Sequence, residues 1–170
     1  MTPWTAWLAA TGICLFCAPA FATQPDKAVE TVPAVVGDAL FAELIGVIGD
    51  RTELNYFATL ASPPALAFVS TGDVIDYNGV RLRIEPPLHG LYDPTTYTIH
   101  LVRPWTLLSI RDQGVLLHEL VHHAQHLSGT YACAAATEWE AHLVQDAFLF
   151  DRGVDSGFDF NTIAQAALCK

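Results

Sequence analysis

The chain has 170 residues and sets 18 acidic side chains against 8 basic ones, a formal charge of −10. That balance argues against nucleic acid and anionic membranes as partners, because both need a basic face that no stretch of this sequence supplies. Met1 to Ala22 holds no charged residue, carries an apolar run from Trp7 to Phe16 and ends Ala20-Phe21-Ala22.

This N-terminal stretch reads as a secretory signal peptide with a small-x-small cleavage site, although its first residues lack the usual Lys or Arg. The expectation is an exported protein, periplasmic or extracellular, free of the membrane once the signal is removed. Residues 23–170 then form a single domain, enough chain for one core and too little for two. Cys133 and Cys169 are the only cysteines of that part. In an exported chain such a pair is expected to be a disulfide tying the C-terminal segment back to the middle of the domain. Nothing in the sequence fixes an oligomeric state.

Gln24 to Pro33 is mostly polar and reads as a flexible lead-in. From Ala34 to Ile48, Val36, Leu40, Leu44 and Val47 recur at helical spacing and predict a first amphipathic helix. Ser62-Pro63-Pro64 ends the next segment, and Ala65 to Val69 is a short apolar run suited to a strand. Tyr77-Asn78-Gly79 signals a tight hairpin, followed by alternation of Val80, Leu82 and Ile84 in a half-buried strand. Pro86-Pro87 and Gly90 break the chain again. Tyr97 to Val102 is a further strand, expected near the site helix. Ser109 with Asp112 three residues on marks a helix start, and the helix is expected to run from Ile110 to Ser128 and stop at Gly129. A third helix spans Ala134 to Arg152, and a short last one from Asn161 carries Cys169. The order predicts an α+β fold with a short mixed or antiparallel sheet packed on two helices.

The central helix contains His118-Glu119-Leu120-Val121-His122, an H-E-x-x-H pentapeptide. Residues four apart lie one turn apart on one helix face, so both imidazoles can hold a single metal ion while the adjacent glutamate reaches a water on it. Catalytic zinc needs a third protein ligand. The metzincin continuation requires a glycine at position 125 and a histidine at position 128, where this chain has Gln125 and Ser128. His126 is too far along the axis, and His123 points about 100° away from His122; both are expected at the surface or behind the ligands. The next helix offers Glu138 and Glu140. Glu140 is in line with Leu143, Val144 and Ala147, which reads as the inward stripe. A carboxylate there needs a cation, which makes Glu140 the expected third ligand, ahead of Glu138.

His118 to His122 followed by Gln125, and Glu140-Ala141 followed by Gln145, resemble the gluzincin branch of the zincin metallopeptidases. The likeness is greatest to small single-domain bacterial proteins with H-E-L-V-H-x-x-Q and a later E-A-x-x-x-Q. Gly90-Leu91-Tyr92-Asp93 leading into Tyr97 to Leu101 is similar to the strand those domains place above the zinc cleft. The resemblance covers roughly residues 90 to 150 and implies a zincin-like fold, a Zn²⁺ cofactor and hydrolysis of a peptide or protein substrate. Glu119 would be the general base, and His142, Tyr131 and Tyr92 the candidate oxyanion donors. It also implies that Tyr97 to Val102 offers an exposed edge to an extended substrate. The alternative is a non-catalytic secreted zinc-binding or interaction module on the same scaffold.

Overall fold

The computed structural model describes residues 29–129 and 131–169; the signal peptide expected over residues 1–22 lies outside them. The fold is α+β, with one four-stranded sheet, one two-stranded hairpin and six α-helices among the described residues. The chain opens with a two-residue strand β1 (Glu30–Thr31) inside the segment expected to be a lead-in. It continues into α1 (Val32–Val36), α2 (Asp38–Arg51) and α3 (Tyr56–Ala61). The single helix expected over residues 34–48 is two, because Gly37 at φ 80 interrupts it in the left-handed region that favours glycine.

Strands β2 (Ala65–Val69), β5 (Gly90–Asp93) and β6 (Thr98–Val102) join β1 in a mixed sheet of order β1-β2-β6-β5. The β2–β6 pair is parallel, and the β1–β2 and β5–β6 pairs are antiparallel. The resemblance to gluzincins implies an exposed edge at residues 97–102. The structure instead puts β6 between β2 and β5 and makes β5 an edge. The apolar composition of β6 fits the inner position, since Ile99 and Leu101 are fully buried.

Between β2 and β5 the chain makes the hairpin of β3 (Val74–Tyr77) and β4 (Val80–Arg83). Asn78 and Gly79, at φ 48 and 79, supply the two positive φ values that a type I′ turn requires. The Thr95 hydroxyl donates to Asn78 Oδ1 at 3.0 Å and ties the hairpin tip to the β5–β6 turn.

Helix α4 (Ile110–Ser128) begins and ends where its capping residues say it should. Ser109 Oγ accepts from the Asp112 backbone N–H, and Gly129 follows the last turn. Leu116, Leu117, Leu120, Val121 and Ala124 are fully buried and form the centre of the core, with Leu44 and Ile48 of α2, Leu66 of β2 and the inner residues of β6. A 3₁₀ turn at Ala134–Ala136 leads into α5 (Thr137–Phe150), and α6 (Phe160–Ala166) ends the ordered elements. Helices α4 and α5 lie side by side and run in opposite directions. Gly114 near the start of α4 meets Leu149 and Gln145 of α5, while Gln125 near its end meets Thr137. Cys133 and Cys169 are joined as expected, their Cα atoms 5.8 Å apart; Cys169 lies just beyond α6.

Candidate metal centre

The buried stripe of α4 carries His118 and His122 to one spot, where their Nε2 atoms are 3.0 Å apart. The first turn of α5 brings Glu138 against them. Its Oε2 is 3.4 Å from His118 Nε2 and its Oε1 is 3.4 Å from His122 Nε2. These three residues are a group whose donor atoms could hold one metal ion. The triangle can be compared with known coordination geometry: bonds of about 2.0–2.1 Å to a tetrahedral ion separate neighbouring ligand atoms by about 3.3–3.4 Å. The separations are near these values, but each imidazole meets a different oxygen of Glu138 and the two nitrogens are closer than such bonds would set them, so small side-chain shifts would let one ion take both nitrogens and a carboxylate oxygen.

Glu140, the residue expected to complete the triad, is elsewhere. Its Oε2 accepts from Gln125 Nε2 at 3.0 Å and from the Tyr131 hydroxyl at 3.0 Å. The error lies in which face of α5 is inward. Leu143 is 43 % exposed, whereas Ala141, Val144, Gln145, Phe148 and Leu149 are buried. Glu138 sits three residues before Ala141 and seven before Gln145, on the buried stripe. A Gln in that stripe made it look polar, although it is the one that packs on α4.

Glu119 is 5 % exposed and lies beside the cluster. Burial raises its pKa above the ordinary carboxylate range, against the opposing charges of His118 and His122 and a hydrogen bond donated by the Tyr92 backbone N–H. Gly90 of β5 leaves the space this carboxylate occupies, since a Cβ there would stand 2.7 Å from Glu119 Oε1. For Glu138, burial would raise the pKa. Hydrogen bonds from His118 and His122, and their charges, outweigh that and hold it far below the usual carboxylate range. Burial alone would lower the His122 imidazole, but Glu138 and Glu119 more than reverse this and raise it.

The cluster forms one wall of an open cleft of about 420 Å³. Its other walls include Leu88, Gly90, Leu91 and Pro94 on one side and Gly129, Tyr131 and Ala134 on the other, with Tyr77 reaching in from the hairpin. No Lys or Arg lines it among the described residues. Tyr77 was not foreseen, because only the long-range placement of the hairpin brings it here. Burial first, then the charges of Asp93, Glu119 and Glu138, raises its pKa.

The other candidate donors are engaged. The Tyr92 hydroxyl is 3.0 Å from His123 Nδ1, whose ring is fully buried and bonded through Nε2 to Ser62 O at 2.8 Å. His123 is thus a core residue, neither at the surface nor behind the ligands. The His142 ring stacks edge-on to His118 with centroids 4.5 Å apart, and its Nδ1 is 2.9 Å from the Glu138 carbonyl. Tyr131 lines the cleft; burial and the neighbouring Glu140 push its phenol up to about 12. His126 is exposed, as expected.

A family model described as Domain of unknown function (DUF6647) matches residues 33–170. The chain belongs to that family. The matched span begins within α1 and takes in the entire His118–His122–Glu138 cluster, Glu119 and the cleft that holds them. No curated protein and no solved structure matches the chain. No described helix is long and apolar enough to cross a membrane, and the Cys133–Cys169 disulfide is compatible with an exported DUF6647 protein.

Proposed function

We propose that this protein is an exported zinc-dependent metallohydrolase acting on peptide bonds, with the ion held by His118, His122 and Glu138 and with Glu119 as general base. One observation supports this reading above the others: a His-His-Glu group whose donor atoms could hold one metal ion stands in an open cleft beside the buried Glu119 carboxylate. The nitrogen and oxygen donors suit zinc, and three protein ligands leave a position for chemistry. A bound zinc ion would supply Lewis acidity and lower the pKa of water at the site to near neutrality.

The chain's own residues account for the rest. The Glu119 carboxylate accepts a proton from water and passes it to the departing amine, a task helped by burial, which raises its pKa and makes it a stronger base than an exposed carboxylate. Tyr77 places a phenol on the cleft wall, where a developing oxyanion needs a donor; the single hydroxyl proton of Tyr131 is already given to Glu140. β5 is an edge strand on the same cleft, so an extended peptide can add to its free side, with Gly90 and Leu91 beneath the substrate backbone. The apolar lining of Leu88, Leu91 and Pro94 receives uncharged side chains.

Glu119→Gln tests the reading. It keeps the shape of the site, so zinc affinity is expected to stay within about threefold while hydrolysis of internally quenched peptides falls by roughly 10²–10⁴. Zinc binding with no turnover in either protein would leave a binding module and refute the enzyme.

A further inference from the structure

The two histidines differ in what stands behind them. His118 Nδ1 is buried with no hydrogen-bond partner, whereas His122 Nδ1 is 2.9 Å from Gln125 Oε1. The spacing is i, i+3, so α4 itself presents the amide to the ring. That amide cannot turn over freely. Its Nε2 donates to Thr137 O at 2.9 Å and to Glu140 Oε2 at 3.0 Å, and both partners are pure acceptors. Reversing the amide would lose both bonds and press its oxygen against a carbonyl and a carboxylate. With the nitrogen held on the α5 side, the oxygen faces His122, and a carbonyl oxygen can only accept. The proton of His122 therefore sits on Nδ1, and the lone pair sits on Nε2, the atom aimed at His118 and Glu138. Glu140 Oε2 also accepts from Tyr131, which fixes the carboxylate from the cleft side.

We infer that Tyr131, Glu140 and Gln125 form a positioning relay that holds His122 in its Nδ1–H form and presents Nε2 to the metal. None of the three touches the ion; they act through the ring. Gln125 is 1 % exposed, so solvent does not compete for its amide. Glu140 gains a role on the site that sequence reasoning had given to the wrong shell. The purpose of the relay rests on the proposed metal site, but its hydrogen bonds do not depend on the ion.

The test reads the ring directly. In chelator-treated Glu138→Ala protein the carboxylate that competes for the ring is gone. There, ¹⁵N spectra at about pH 9, where a histidine is neutral, are expected to show Nδ1–H exceeding Nε2–H by about tenfold. Adding Gln125→Leu abolishes that excess, and adding Glu140→Ala reduces it. In otherwise native protein, zinc titration is expected to weaken by about 10–100-fold for Gln125→Leu and by a smaller factor for Glu140→Ala. An unbiased or Nε2–H ring overturns the relay whether or not the protein takes up zinc. A biased ring in a protein that binds no zinc leaves the relay standing and removes the metal reading. Should Gln125→Leu not fold, Glu140→Ala decides, since it changes one half-buried side chain on a helix; unchanged ring populations there overturn the relay.

Discussion

Replacing Gly90 by alanine adds one carbon and should disable Glu119, the proposed general base, without touching the proposed metal ligands. The added Cβ would stand 2.7 Å from Glu119 Oε1, 3.0 Å from its Cγ and 2.9 Å from Val115 Cγ1, where ordinary contacts begin at 3.4 Å. The carboxylate oxygen must retreat by about 0.7 Å, and it can, because it ends a flexible side chain. The methyl of Val115, a stiff β-branched side chain, must shift as well, so the overpacking costs the fold about 1–3 kcal/mol. The chemistry loses as well, since a misplacement near 1 Å costs up to about 10²-fold in rate. Turnover of a quenched peptide is expected to fall 10–100-fold, with zinc affinity unchanged within about threefold and a fall in Tm. Of the proposed site groups, the Cβ would meet Glu119 alone, so Gly90→Ala in a Glu119→Gln background should lower turnover little further. Wild-type turnover in folded, zinc-loaded Gly90→Ala would refute the placement of Glu119 as base.

Two stability predictions follow from groups outside the cluster. The Cys133–Cys169 disulfide closes a loop with a sequence separation of 36. Cys133→Ser with Cys169→Ser is therefore expected to cost about 4 kcal/mol in chemical denaturation, and no change would show that the closed loop does not constrain the unfolded chain. Burial, with Tyr97 and Asp93 adding to it, raises the Tyr92 phenol well above 10.0. Below pH 10 its contribution is whole. Above it the unfolded chain ionises first, the native state holds more protons, and stability falls by up to about 1.4 kcal/mol per pH unit. Tyr92→Phe, weaker by about 1 kcal/mol at neutral pH for the lost bond to His123, should close on wild type above pH 10; parallel curves would contradict this.

The elements with strong local chemistry were legible in the sequence. Ser109, Asp112 and Gly129 set the ends of α4, and Asn78-Gly79 set the hairpin. His118, Glu119 and His122 were visible from spacing because one helix supplies them all. What depended on packing was not. β5 was read as a break because Gly90 and the prolines before it look like turn residues, while the glycine is there to admit Glu119. The edge that the gluzincin resemblance implies for β6 falls instead to β5, because nothing local in the sequence says which strands flank which. Glu138 and Glu140 are two residues apart on one helix, and only the identity of the α5 face against α4 decides which of them stands beside His118 and His122 and which beside Gln125. That face is marked by Ala141, Gln145 and Phe148 rather than by the more hydrophobic but exposed Leu143.

The most direct test of the proposed centre is zinc stoichiometry and affinity measured on purified wild-type, Glu138→Ala and Glu140→Ala protein. One zinc per chain is expected. Its affinity should fall by about 10³-fold or more without Glu138, since two histidines make a poor site, and by no more than about tenfold without Glu140. Zinc held equally well without Glu138, or no zinc in the wild type, would contradict the metal centre on which the proposed function rests.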